Sequence, residues 1–153
     1  KKNEEFWINT DITYTFTGSA VTGSYGTATA KRLNDEDAVD ENGDKLKDAD
    51  GNQVINYGLK TQFKNEFNAE AAGILSRTDW YVIKAADVRD YNVPSNIATY
   101  RAAVRTKVNA METSIDNCSD VAALETLLTY TNTGTEDDPV ITRPLGEFPD
   151  EVV

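Results

Sequence analysis

Apolar and polar residues alternate with period two early in the chain, where Ile12, Tyr14 and Phe16 interleave with Thr13, Thr15 and Thr17. That is the pattern of a half-buried strand built from β-formers, and Gly18 ends it. A second Thr-rich run, residues 27–33, follows a turn-like stretch at 23–26, so a hairpin or short meander with its apolar face to one side is expected. Asn42 with Gly43 and Asp50 with Gly51 are tight-turn signals suited to type I′ geometry. With Val54, Ile55 and Tyr57 behind them, they predict one or two further hairpins.

From residue 61 the period becomes helical. Phe63, Phe67, Ala71 and Leu75 fall four apart with Ile74 beside Leu75, giving one apolar stripe. Gly73 inside this stretch suggests a close neighbour. The helix is expected to run to about Ala86, either continuously or with a short break at Thr78. Pro94, Ser95 and Asn96 form a helix start, with Ser95 or Asn96 as the capping acceptor. Ile97, Tyr100 or Arg101, Val104, Val108, Met111 and Ile115 then mark the inner face of a second helix. Ser119 and Asp120 open a third, with Val121, Leu124, Leu127 and Leu128 inward, ending near Tyr130. Beyond Thr131 the composition turns to Thr, Asp, Glu, Pro and Gly, so residues 132–153 read as an extended arm whose Ile141, Leu145, Phe148 and Val152 lie along its own surface or a partner's. The expected class is α+β: N-terminal Thr-rich antiparallel β hairpins (1–60), a three-helix antiparallel unit (61–131) and an extended acidic C-terminal tail.

A chain of 153 residues can hold one domain with a real core, or a small β unit joined to a helical one. Its 39% hydrophobic content is low, but two Trp, five Phe and seven Tyr supply core material. No apolar run approaches the roughly 20 residues of a spanning helix, and the first residues lack an apolar signal region, so a soluble protein without membrane contact is expected. A start on Lys1 rather than Met also fits a piece of a longer protein, in which a targeting segment would lie outside this sequence.

The net charge of −11 is concentrated: residues 34–52 contribute −6 and residues 136–151 contribute −5. An acidic loop and an acidic tail repel nucleic acid and anionic membrane. Cys118 is alone, which excludes an intramolecular disulfide and suits a reducing compartment; it reads as a small buried apolar side chain.

The absence of His removes the commonest base, the commonest metal ligand and every Ser/His or Cys/His dyad. The glycines at 18, 23 and 26 lack the Lys of a phosphate-binding loop. Glu66 with Glu70 and Asp87 with Asp90 are paired acids, but no apolar flank raises their pKa, so a solvated face and a polar turn are the better readings. No catalytic residue and no cofactor is expected, and the chain reads as a non-enzyme. Asp48, Asp50 and Asn52 occupy the first, third and fifth positions of an EF-hand-like loop and are a calcium candidate. Gln53 stands where the sharp turn needs Gly and Leu59 where a bidentate Glu closes the site, so an acidic hairpin loop is preferred.

Asp79, Trp80, Tyr100, Arg101 and Arg105 form the remaining constellation. If the first two helices are antiparallel, Trp80 approaches Tyr100, and Arg101 or Arg105 pairs with Asp79 or stacks on the indole, locking the helix pair. On this expectation Trp80→Ala lowers the melting temperature.

The run Ile74, Leu75, Thr78, Asp79, Trp80, then Pro94, Tyr100, Arg101, Val104 and Arg105 resembles the bacteriophage tail and tail-fibre assembly chaperone-like family, over about residues 65 to 130. The resemblance carries no catalytic residues. It implies either an assembly factor that shields tail or fibre subunits in the host cytoplasm, or a tail, baseplate or fibre component retained in the virion. The β-rich segment of about 60 residues before the motif favours the virion component. The expected partners are other phage tail or fibre proteins in a multi-copy assembly, with Trp7, Tyr25 and Phe148 as candidate contact residues. An assembly chaperone absent from the virion, or a carbohydrate- or receptor-binding accessory module suggested by the Thr, Tyr and Trp content, are the alternatives.

Overall fold

The computed structural model describes residues 1–152. Among them the elements run β1 (Trp7–Ile8), β2 (Ile12–Phe16), β3 (Val21–Tyr25), β4 (Thr29–Ala30), β5 (Glu36–Asp37), β6 (Ile55–Asn56), α1 (Leu59–Ser76), α2 (Asp79–Asp87), α3 (Ser95–Asp116), α4 (Val121–Leu128), β7 (Thr131–Asn132) and β8 (Ile141–Thr142). The class is α+β, with four separate two-stranded antiparallel ladders: β1 with β4, β2 with β3, β5 with β6 and β7 with β8.

The helices build the core. α1 turns Leu59, Phe63, Phe67 and Ala71 inward, α3 turns Tyr100, Val104, Val108, Met111 and Ile115, and α4 adds Val121, Leu124 and Leu128. These are the residues the helical period selects, because spacings of three and four keep side chains on one face. Val104, Ile115 and Leu124 are wholly enclosed, and each such side chain contributes about 1.5–3 kcal/mol relative to exposure. α1 and α3 are antiparallel. Lys64 at the start of α1 pairs with Asp116 at the end of α3 at 2.8 Å, and Asn68 Nδ2 donates to Glu112. At the other end Arg101 meets Leu75.

Four helices replace the expected three, because the break at Thr78 is complete. Thr78 leaves helical geometry (φ −116°, ψ 6°), its hydroxyl donates to the Leu75 carbonyl at 3.0 Å, and α2 starts anew at Asp79. At α3 the expected cap shifts: Pro94 is the cap residue, Ser95 is already helical, and no side chain caps the end. Asp120 does cap α4, accepting from the Ala123 amide at 2.8 Å, a contribution of about 1 kcal/mol. Around Gly73 there is open space rather than the close neighbour expected.

Residues 1–60 do not close a core of their own. Phe6 belongs to the helical core, stacked on Phe63 with ring centroids 5.5 Å apart, and Trp7 Nε1 donates to Glu125 of α4 at 2.7 Å. The start of α1 is fixed from this region too: the Leu59 and Lys60 amides donate to the Arg32 and Leu33 carbonyls, and Gly58 N donates to Asp35 Oδ1 at 2.8 Å. These bonds occupy N–H groups that a helix start leaves without internal partners.

Two strand expectations change. β2 pairs with residues 21–25, not with the Thr-rich run at 27–33, so the turn lies at Gly18 and Ser19 and Gly23 sits mid-strand. The turns at 40–44 and 48–52 are not type I′, since Gly43 and Gly51 have positive φ while Asn42 and Asp50 do not. In each, the amide of the glycine donates back to Asp40 or Asp48, and the carboxylate of that Asp accepts two further amides at 2.8–2.9 Å. Those bonds hold the residues before each glycine at negative φ and leave only the glycine left-handed, the arrangement of a three-residue hairpin loop.

The tail packs on its own chain as a strap. Leu145 enters the core, its amide donates to the Leu127 carbonyl, and Lys107 Nζ donates to the Leu145 carbonyl at 2.7 Å. Arg143 lies between the rings of Phe67 and Tyr130, 5.1 and 4.9 Å from their centroids, and holds Glu147 through two nitrogens. Partial burial, together with its hydrogen bond to Glu147, pushes the Tyr130 phenol up from its ordinary pKa. Phe148 and Val152 complete the packing, and Arg77 pairs with Glu151 at 2.9 Å.

Candidate protein-interaction surface

Of the constellation between the helices, Arg101 and Asp79 come together and the rest separate. Arg101, 7% exposed, donates to the Leu75 carbonyl at 2.7 Å, to Thr78 Oγ1 at 2.6 Å and to Asp79 Oδ1 at 2.8 Å. Tyr100 is buried in the core. Trp80 is 51% exposed and tilts against its neighbour Tyr81, with centroids 3.9 Å apart, rather than against Tyr100; Arg105 is exposed. Trp80 misses because α2 restarts the helical phase at Asp79 and buries none of its own residues. The other acceptors of Arg101 are the Leu75 carbonyl and Thr78 Oγ1; the sequence points to Thr78 as a possible break but not to its pairing with Arg101.

Asp48, Asp50 and Asn52 serve their own loop. The Asp48 carboxylate accepts from the Asp50 and Asn52 amides and from Asn52 Nδ2. Among the described residues, no three His, Cys, Asp or Glu side chains converge in a way that could hold a metal ion. No helix among them is long and apolar enough to cross a membrane.

Two of the three candidate contact residues are engaged within the chain. Trp7 is half-buried, bonded to Glu125 and covered by Lys2 Nζ 3.3 Å above its ring, and Phe148 packs on the core. Tyr25 is different, because it belongs to the ribbon of β2 and β3, where residues 10–27 are all exposed.

That ribbon has two unlike faces. Directly opposed residues share a face, so Ile12 with Tyr25 and Phe16 with Val21 stand on one side, and Thr13 with Ser24 and Thr15 with Thr22 on the other. Between the apolar pairs, Tyr14 opposes Gly23. A Cβ on Gly23 would come within 2.8 Å of Ile12 Cδ1 and 3.2 Å of Tyr14 Cε1, so these side chains lie over the glycine and the apolar face has no gap there. None of Ile12, Tyr14, Phe16, Val21 or Tyr25 belongs to the core or packs against it. The alternation separates an apolar from a polar face, but the expected half-burial fails: every residue of β2 and β3 is exposed, because the helical stripes are used up on one another and leave no core for the ribbon to cover.

The ribbon is held at its base only. β1 and β4 pair beneath it, the Lys31 amide donates to the Phe6 carbonyl, and Gly26 N donates to Thr10 Oγ1 at 2.6 Å. It is thus an arm anchored through Phe6 and Trp7 in the helical body.

Two grooves mark the body itself. One, of about 460 Å³, opens between the start of α3 and the tail, over Tyr100, Ala103, Pro149 and Val152. The other, of about 330 Å³, has Phe63, Phe67 and Leu128 at its base and Glu5, Glu66, Glu70 and Glu147 around Arg143. Comparison with protein-family models, with curated proteins and with solved structures finds no match for the chain.

Proposed function

We propose that the chain is a non-enzymatic component of a bacteriophage tail, baseplate or fibre that works by protein–protein contact. The observation that carries the contact role is the β2–β3 ribbon, whose apolar face stands free of the core on an anchored arm. Apolar side chains in such continuity mark association surfaces in soluble proteins. The phage setting rests on the resemblance of Ile74, Leu75, Thr78, Asp79, Trp80, Pro94, Tyr100, Arg101, Val104 and Arg105 to the tail assembly family. Arg101 and Thr78, both within that motif, join the end of α1 to α3, so in this reading the motif maintains the helical body and the arm makes the contacts.

Quantitative mass spectrometry of purified virions tests the proposal. The chain is expected in a fixed ratio to the other tail proteins. Its absence from virions, with clear expression in infected cells, would transfer the assignment to an assembly chaperone.

A further inference from the structure

Building on the contact role proposed above, we infer that the apolar face of the β2–β3 ribbon is a homotypic interface, in which two copies of the chain stack face to face. An isolated two-stranded hairpin is marginally stable in water, and none of the five apolar residues of this one joins the core; only Lys1 and Lys2 stand beside it, next to Tyr25 at its base. Something must cover the face for the arm to persist as an ordered ribbon.

Area favours a second copy. Exposure of the five side chains runs from 39% for Ile12 to 69% for Phe16. With aromatic side chains of roughly 150–250 Å² each, the face offers on the order of 550 Å². Full burial of that area on both copies sets an upper limit of roughly 1,100 Å² removed from water, which fits a weak, reversible pair.

Charge points the same way. Residues 12–25 contain no Asp, Glu, Lys or Arg in a chain of net charge −11. Approaches through residues 34–52 or 136–151 bring like charge together, whereas this face meets its equivalent without an ionic penalty. A face shaped for a strongly basic or acidic partner would carry the complementary sign along its length, and here the only charges are Lys1 and Lys2 beside Tyr25 at the base. Its layout also suits a two-fold axis: Tyr14 and Gly23 are the middle of five cross-strand pairs, with Ile12 and Tyr25 to one side and Phe16 and Val21 to the other. An axis through that middle sets each end of one ribbon against the opposite end of its partner, the self-complementary condition of a two-fold dimer.

Sedimentation equilibrium on the full chain, from roughly 1 μM to 1 mM, tests the inference. The expected result is a reversible monomer–dimer equilibrium. The double variant Tyr14→Ser, Phe16→Ser should weaken it by roughly 100-fold or more in Kd. Thr13→Glu with Thr22→Glu, on the opposite face, should leave it within a few-fold. Melting temperature and far-ultraviolet circular dichroism report whether the helical body of each variant is intact. A wild-type chain that stays monomeric throughout overturns the inference, as does a dimer indifferent to the Tyr14 and Phe16 changes or equally lost in the opposite-face variant. Monomeric chain that is nevertheless stoichiometric in virions would leave the tail role standing and assign the face to another tail protein. A ribbon-mediated dimer absent from virions would do the reverse.

Discussion

The guanidinium of Arg101 on α3 closes the end of α1 by donating to the Leu75 carbonyl at 2.7 Å. The last carbonyls of a helix lack internal partners. This one also accepts the Thr78 amide and hydroxyl, so the break after Ser76 is satisfied from both sides. Asp79, whose side chain is half-exposed, accepts from the other terminal nitrogen, Nη2. Loss of the guanidinium therefore matters more than loss of the carboxylate. Arg101→Met should cost about 2–3 kcal/mol, since charged hydrogen bonds in a buried position are removed, and lower the melting temperature by roughly 5–10 °C. Asp79→Asn should cost under about 1 kcal/mol, as expected for an ion pair with a solvated member. Urea denaturation of both variants decides this, and equal losses would refute the ranking.

Trp80→Ala should leave stability within about 0.5 kcal/mol of the parent, as at other exposed positions. The indole touches only its local neighbours Tyr81 and Lys84 among the aromatic and cationic contacts of α2. A fall in melting temperature beyond about 2 °C would mean that α2 packs on the body more tightly than its exposure indicates.

Gly58 and Gly73 should respond in opposite directions to alanine. A Cβ on Gly58 would overlap the backbone carbonyl of Asn34, which has no room to move while Arg32 and Leu33 hold the start of α1. Gly58→Ala should therefore destabilise by about 1–3 kcal/mol. At Gly73, inside α1, nothing stands within 4 Å, and alanine should stabilise by up to about 1 kcal/mol through helix propensity. Thermal melts of the two single variants check both signs.

Acid should loosen the two hairpin turns. Bonds from the Asp44 and Asn42 amides hold the Asp40 carboxyl below its ordinary pKa, and bonds from the Asn52 amide and side chain do the same for Asp48. A carboxyl whose folded pKa is depressed stabilises the fold above the unfolded value, about 3.9, and that contribution is lost as pH falls through the lower folded value. The amide resonances of Asp44 and Asn52 should therefore titrate with midpoints below the ordinary Asp value. Midpoints at or above it would show that the carboxylates do not accept these bonds.

Cys118 should react slowly with a thiol reagent in the native state. Burial pushes its thiol up from the usual value, and Sγ faces the Ser114 carbonyl inside the core. Because the thiolate is the nucleophile, labelling at neutral pH should become fast only on addition of denaturant. Rapid native labelling would place the thiol outside the core.

What the sequence makes legible is what periodicity encodes. The stripes on α1, α3 and α4 appear in the chain as spacings of three and four, and the α+β class follows from them together with the Thr-rich alternation. The break at Thr78 is only half legible, since a buried Thr whose hydroxyl returns to the preceding turn resembles any helical Thr until Arg101 is in place. Gly23 reads as a turn because glycine is rare in strands, and only the Ile12 and Tyr14 side chains lying over it explain its position. The turns at 40–44 and 48–52 depend on carboxylates accepting their own backbone amides, which the Asn-Gly and Asp-Gly dipeptides do not reveal. In the candidate surface, alternation identifies the apolar face of the ribbon. Whether the chain covers that face is a three-dimensional fact that no local pattern carries.

Trp7 and Glu125 are 118 residues apart in sequence, and Phe6 shares one core with Leu145. Contacts at such separations are non-local, and a core closed by them forms more slowly than one closed by neighbouring helices. During synthesis α1, α2 and α3 can form as they leave the ribosome, but the core stays open until Leu145 has emerged. The growing chain thus passes through a stage in which Phe63, Phe67 and Leu128 are still uncovered, and it remains adhesive until Leu145 has been added.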